Sequence, residues 1–460
     1  MLILFCIIHS GSRTRKFALS ETVPAVVDPL IPRLTVFFPR RFCAVCSRRP
    51  HPMKLRNQLI ALACLFAFVA LGFLYVRMWV VQKPRQIILF VSDALATRPL
   101  TAARLYAGGA DFRLNLEQFP HTSLLRNPSE EFAVPDAASA ATAISTGRRT
   151  KHRSVATTGT GRALETILEK ASKSGRAVGL VSNATLTSPS ISAFYAHTTR
   201  PHETEGQALQ LFERDWVTVA LGGGWADFLP EGAEGRRKDG RDLVSEWTAK
   251  GVQVVKSKAE LESAWGGDAG RVIGLFSSGP LAYSNQMESG SQQPSLSDMT
   301  RRAIRLLRSY RRGYVLVVDA ALFTAACESN QGERALREVL ALDEAVAVAQ
   351  REAGEKALIL AVGRYGTGGL TLSGYPFRDQ KRSDFLGLSP EGYSYLSWAS
   401  GPNGPAVGAT PFRNEPASLA WPSALSTAED MLGLGRGPGS ERLSGFLDNT
   451  VIFSILKDAL

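Results

Sequence analysis

Six short, mostly apolar runs, at 87–91, 177–181, 217–221, 272–275, 315–318 and 358–362, constrain the fold of this 460-residue chain more than any other feature. Continuous apolar runs of this length read as strands buried on both faces, as in a parallel sheet covered by helices. Helical patterns fall between them, over 136–146, 164–172, 296–307 and 335–349. Ser295, ahead of the third of these and followed by Asp298, is a helix start signal. Strands alternating with helices predict a three-layer α/β/α sandwich around a mostly parallel central sheet. In such sheets function collects beyond the carboxyl ends of the strands.

Upstream of the first strand, 59–76 is an unbroken run of 18 apolar or small residues, which resumes after Arg77 and continues to Val81. At 1.5 Å per residue the first part alone is about 27 Å long, close to the hydrocarbon thickness of a bilayer. Lys54 and Arg56 precede it and favour a cytoplasmic N-terminal side. The expectation is an uncleaved single-pass anchor over 53–85, with its transmembrane helix at about 59–81 and a main domain, 86–460, in the periplasm or outside the cell. Residues 1–52 hold eight Lys or Arg against Glu21 and Asp28, which accounts for six of the formal +11 charges. This arm reads as an extension ahead of a true start at Met53, or as a disordered or targeting segment. The rest of the chain is mildly basic in the manner of a solvated surface, with no nucleic-acid-binding signature. Cys43 and Cys46 form a C-x-x-C with no second pair at zinc-finger spacing, and the five cysteines make no disulfide framework. The fold therefore rests on its core.

Three carboxylates stand at strand ends or helix starts: Asp93, Asp136 and Asp319. Any one of them alone reads equally well as a helix cap. Their context is wider. The segments 86–93 (QIILFVSD), 135–147 (PDAASAATAISTG), 193–197 (AFYAH), 221–224 (LGGG), 293–300 (QPSLSDMT), 367–370 (TGGL) and 445–450 (GFLDNT) occur in the order of motifs in the alkaline phosphatase family. In these the chain resembles that family from about residue 86 to its end. The resemblance implies an alkaline phosphatase-like fold and in-line phosphoryl transfer, with a serine nucleophile at a helix N-terminus, two zinc ions and a nearby magnesium. It also implies a homodimer, the common state in the family.

Residue by residue, little of the implied machinery is present. The nucleophile position reads Ala137. Ser139, two residues along the helix, is rotated by about 200° and does not replace it. The zinc positions read Thr324, Glu328, Arg364, Tyr365 and Ser426. None of the six histidines lies beyond position 202, although such zinc sites need imidazole or thiolate ligands. Asp93, Ser190 and Asp319 match the magnesium-side ligands, so the expected cofactors are at most one Mg²⁺ and no zinc. Arg364 is a cation that replaces a metal beside Asp93. Arg200 falls near the phosphate-clamping arginine of the family, one position early.

The functional expectation is a catalytically degenerate, membrane-anchored protein with a scaffold role or a pocket for phosphate or another anion at Arg200 and Arg364. The competing expectation is an active phosphomonoesterase that uses one metal near Asp93 and Asp319.

Overall fold

In β1 (Gln86–Val91), each residue from Ile87 to Val91 is fully buried. Successive side chains of a strand point to opposite faces, and here both faces are covered. Ile87, Leu89 and Val91 join a core with Ile144, Leu168 and Ile452, whereas Ile88 and Phe90 join another with Tyr106, Leu296 and Leu336. Each of these burials contributes roughly 1.5–3 kcal/mol. An uninterrupted apolar run is thus what a strand between two helical layers requires.

The protein is described here by a computed structural model that covers residues 53–75 and 83–460, apart from 233, 267–269, 288–289, 375–377, 379–385, 387, 390–391 and 405–414. The chain divides into an N-terminal unit and a large unit, Leu74–Leu460. In the N-terminal unit the described element is the helix Met53–Tyr75. Its apolar stretch Leu55–Tyr75, 21 residues none of which is buried, is long and apolar enough to cross a membrane. The remainder of the expected span, 76–81, and the basic arm 1–52 lie outside the described residues.

The large unit is built on a ten-stranded sheet. After β1 come β2 (His121–Arg126), β3 (Ala177–Thr185), β4 (Val219–Gly223), β5 (Gln253–Val255), β6 (Val272–Leu275), β7 (Tyr314–Asp319), β8 (Leu358–Val362), β9 (Met431–Arg436) and β10 (Gly445–Asp448). Their order across the sheet is β10-β2-β9-β8-β1-β7-β3-β4-β6-β5. Every pairing is parallel except the two made by β9, to β8 and to β2. This is the α/β sandwich with a mostly parallel sheet that the sequence predicts.

All six predicted strands form, with small changes of length. β3 runs four residues beyond the expected 177–181, and β4 is displaced two residues from 217–221. The sequence reading omits β2, β5, β9 and β10. These are short, edge-side or punctuated by glycine and polar residues, so no apolar run announces them. The helix Leu296–Leu307 has its expected bounds, and Ser295 and Asp298 make a reciprocal capping box at its start. The helix expected at 335–349 extends over Gly332–Ala353.

Gly313 shows how the central strands are brought together. Its φ is +83°, and a Cβ there would stand 1.8 Å from the Arg85 carbonyl oxygen. That carbonyl accepts from the Tyr314 N–H at 2.9 Å, and the Gly313 carbonyl accepts from the Ala177 N–H at 3.0 Å. One residue therefore links the starts of β1, β7 and β3. Gly313→Ala is expected to destabilise the fold by about 1–3 kcal/mol, the usual scale for a side chain forced into such a conformation. Denaturant unfolding of wild type and variant measures it.

Candidate functional site

The sheet register places three charged residues side by side. Val91 at the end of β1 lies opposite Asp319 on β7 and Val362 on β8. Asp93 and Arg364, each two residues further on, consequently emerge together with Asp319 at the carboxyl ends of three adjacent parallel strands. Ser182 of β3 lies opposite Asp319 on its other side. This is where an open α/β sheet carries its sites.

These residues form one buried cluster. The Arg364 guanidinium donates from Nε to Asp93 Oδ1 at 2.8 Å and from Nη2 to Asp93 Oδ2 at 3.3 Å. Its Nη1 donates to Asp319 Oδ1 at 3.1 Å. Relative exposure is 1% for Arg364, 1% for Asp93 and 0% for Asp319. Thr324 Oγ1 donates to Asp93 Oδ2 at 2.5 Å. Ser190 and Ser182 donate to Asp319 Oδ2 at 2.7 and 3.0 Å. Every carboxylate oxygen of the pair thus accepts at least one hydrogen bond, as buried charge requires. Burial alone would lower the Arg364 pKa, but Asp93 and Asp319 outweigh it and hold the guanidinium firmly protonated. Burial raises the Asp319 pKa, against the opposing pull of Arg364 and the two serines.

The helix Ala137–Thr146 begins beside this cluster. Asp136 is its N-cap: Oδ1 accepts from the Ser139 N–H at 2.8 Å, and Oδ2 from the Arg153 N–H at 2.7 Å. Ser139 returns the contact by accepting the Asp136 N–H at 3.2 Å, so its hydroxyl belongs to the cap. Of the three candidate carboxylates, then, Asp136 caps a helix, whereas Asp93 and Asp319 bind a cation.

A cavity of about 180 Å³ lies beside the triad, lined by Ala137, Pro189, Ala321, Ala325, Glu328 and Tyr365 together with Ser188, Ser190, Thr324 and Arg364. The structure therefore gathers eight of the singled-out positions: Asp93, Ala137, Ser190, Asp319, Thr324, Glu328, Arg364 and Tyr365. Two fall elsewhere. Arg200, expected to clamp an anion, is a surface residue with 73% of its side chain exposed, and it pairs with Glu203 at 3.3 Å. Ser426 sits in a short exposed strand paired with Thr367 and does not line the cavity. Ser182 was missed, because its role follows from strand order, which no local motif encodes.

The metals that the family implies do not fit these residues. The zinc positions offer a hydroxyl, a lone carboxylate, a guanidinium and a phenol, where zinc takes imidazole, thiolate or several carboxylates. Magnesium requires oxygen ligands arranged around the ion. Here Asp93 and Asp319 are turned to the Arg364 guanidinium, and the Ser190 hydroxyl hydrogen points to Asp319.

Sheet, strand-end cluster and helix start together define an alkaline phosphatase-like α/β protein with an arginine-centred site. A sequence model of the family described as alkaline phosphatase matches residues 84–460. The chain belongs to the alkaline phosphatase family. It is 27% identical over 426 residues to the tissue-nonspecific alkaline phosphatase of Gallus gallus, covering 78% of this chain and 81% of that one. It is 25% identical over 422 residues to alkaline phosphatase 4 of Bacillus subtilis (strain 168), covering 81% and 89%. Among solved structures, the alkaline phosphatase of Thermus thermophilus superposes with a TM-score of 0.68 at 26% identity, covering 83% of this chain and 92% of that one. The enzyme from the Antarctic bacterium TAB5 shares the fold, with a TM-score of 0.64 at 20% identity over 82% and 98%.

Further from the triad, His197 is held between two acceptors. Its Nδ1 is 2.9 Å from the Ala156 carbonyl and its Nε2 is 3.0 Å from Glu169 Oε1. Neither partner can donate, so both contacts are satisfied only by the imidazolium. Burial opposes the charge, but Glu169 and the Ala156 carbonyl outweigh it and raise the pKa.

Two outcomes are expected. Arg364→Ala leaves two uncompensated buried carboxylates and destabilises the fold by about 3–5 kcal/mol. Adding Asp93→Asn and Asp319→Asn to Arg364→Ala, which removes the uncompensated charge, recovers most of that loss in denaturant unfolding. For His197, the raised folded pKa means that its stabilisation is complete below the unfolded value of about 6.5 and disappears as pH rises through the folded value. The difference in Tm between wild type and His197→Gln should therefore shrink with rising pH across that window.

Proposed function

We propose that this chain is a non-catalytic member of its family, held at the membrane by its N-terminal helix, with the large unit on the periplasmic or extracellular side as a binding or assembly scaffold. One observation carries the reading. The guanidinium of Arg364 bridges Asp93 and Asp319, while Ala137 stands at the helix start beside them. Transfer of a phosphoryl group through a covalent intermediate needs a nucleophile and positive charge at the attacking and leaving oxygens. Ala137 has no nucleophilic atom. The one guanidinium is already bound to two carboxylates.

The same geometry removes support from a phosphate pocket. Arg200 lies at the surface, and Arg364 is outnumbered by the acids around it. The competing reading, hydrolysis assisted by one metal, is favoured by the convergence of Asp93, Ser190 and Asp319. It requires Arg364 to swing out of a site where it is 1% exposed, leaving its partners to a cation of higher charge.

Metal analysis and an aryl-phosphate assay across several divalent cations decide between the two. The expected result is turnover at background and no stoichiometric zinc. Ala137→Ser alone is expected to remain inactive, because a serine without metal has nothing to lower its pKa. A zinc pair, with turnover abolished by Asp93→Asn, would overturn the proposal.

A further inference from the structure

The cavity beside Arg364 has a polarity that the family relationship does not prepare for. At about 180 Å³ it has room for about six waters at liquid density. Ala137, Pro189, Ala321 and Ala325 give it small apolar walls. Most of its polar lining is committed: Thr324 donates to Asp93, Ser190 donates to Asp319, and Ser188 pairs with Ser190 at 2.8 Å. Two groups are left over. The Tyr365 residue is 6% exposed, yet its hydroxyl makes no hydrogen bond among the described residues. The Glu328 carboxylate, at the exposed rim, likewise has no hydrogen bond or ion pair among them.

The Tyr365 side chain is buried, and its hydroxyl opens into the cavity with room for a ligand group beside it. The charge around the cavity selects which ligand. Asp93, Asp319 and Glu328 are three carboxylates against the single guanidinium of Arg364. A phosphate entering here would meet excess negative charge. An ammonium group would find a free carboxylate, a hydroxyl oxygen able to accept its N–H, an aromatic side chain and alanine methyls to contact its alkyl groups.

We infer that this cavity binds a small organic cation, an ammonium compound, through Glu328 and Tyr365. The inference rests on the non-catalytic reading, since a metal-filled site would leave neither group free. Glu328 supplies the countercharge at the rim. Tyr365 orients the head group, and the wall formed by Ala137 sets the space available to its substituents. The position where the family has its nucleophile thereby becomes part of a ligand's van der Waals surface.

The test is calorimetric titration of the full-length chain in detergent with methylammonium chloride, against sodium chloride and sodium phosphate at equal ionic strength. Saturable methylammonium binding is expected, weakened at least tenfold in Glu328→Gln and several-fold in Tyr365→Phe, with no saturable phosphate binding. Ala137→Leu, which fills the cavity and leaves Glu328 in place, is a second variant should Glu328→Gln fold poorly, and it should abolish binding. Methylammonium binding that is absent, or that is indifferent to both Glu328→Gln and Ala137→Leu, overturns the inference. So does saturable phosphate binding weakened by Ala137→Leu. Turnover of aryl phosphate is measured separately: background turnover without methylammonium binding removes this inference alone, whereas zinc-dependent turnover removes the reading beneath it.

Discussion

Two carboxylates fixed at the ends of adjacent buried strands cannot stand alone, and the arrangement of this protein's centre follows from that constraint. Asp93 and Asp319 are delivered to one point by the register of β1 and β7, with no freedom to turn to solvent. Ionised and unpaired, each would carry a desolvation cost of several kcal/mol. A cation placed between them answers that need. Here the chain supplies its own, from the next strand over, and the planar fork of Arg364 reaches both acids. The cation is covalently part of the fold, so it is present whenever the protein is folded and independent of metal supply.

The central sheet was legible because its strands are buried on both faces, and that condition writes itself into sequence as unbroken apolar runs such as 87–91 and 358–362. The four strands that escaped notice obey other rules. β2 alternates exposed and buried residues, and β10 has no buried residue. Helix starts were readable where capping chemistry is local, as at Ser295 and Asp136. At the site, Asp93, Asp319 and Arg364 could be named because each occupies a motif position. Their mutual contacts depend on strand order, which is a property of the whole sheet. Ser182 was invisible for that same reason, whereas Arg200 was misplaced because sequence proximity to a motif does not fix where a loop side chain ends up.

The family kinship and the site chemistry answer different questions. A family match over 84–460 and a shared sandwich establish descent and architecture. Function resides in a few groups grafted onto that frame. Ala137 puts a methyl at the helix start, Arg364 lies between two acids, and the sheet beneath them keeps an unbroken register.

The capping box at Asp136 leaves positions 137 and 364 with very different freedom to change. The helix start is held by Asp136 and Ser139, and neither contact involves the side chain of Ala137. A hydroxyl can therefore be introduced at 137 in a single step with little effect on folding. Arg364 permits no such step, since an uncharged replacement strands two acids in the interior. Position 137 is thus a door left on the latch, whereas position 364 is held shut by the protein's own stability.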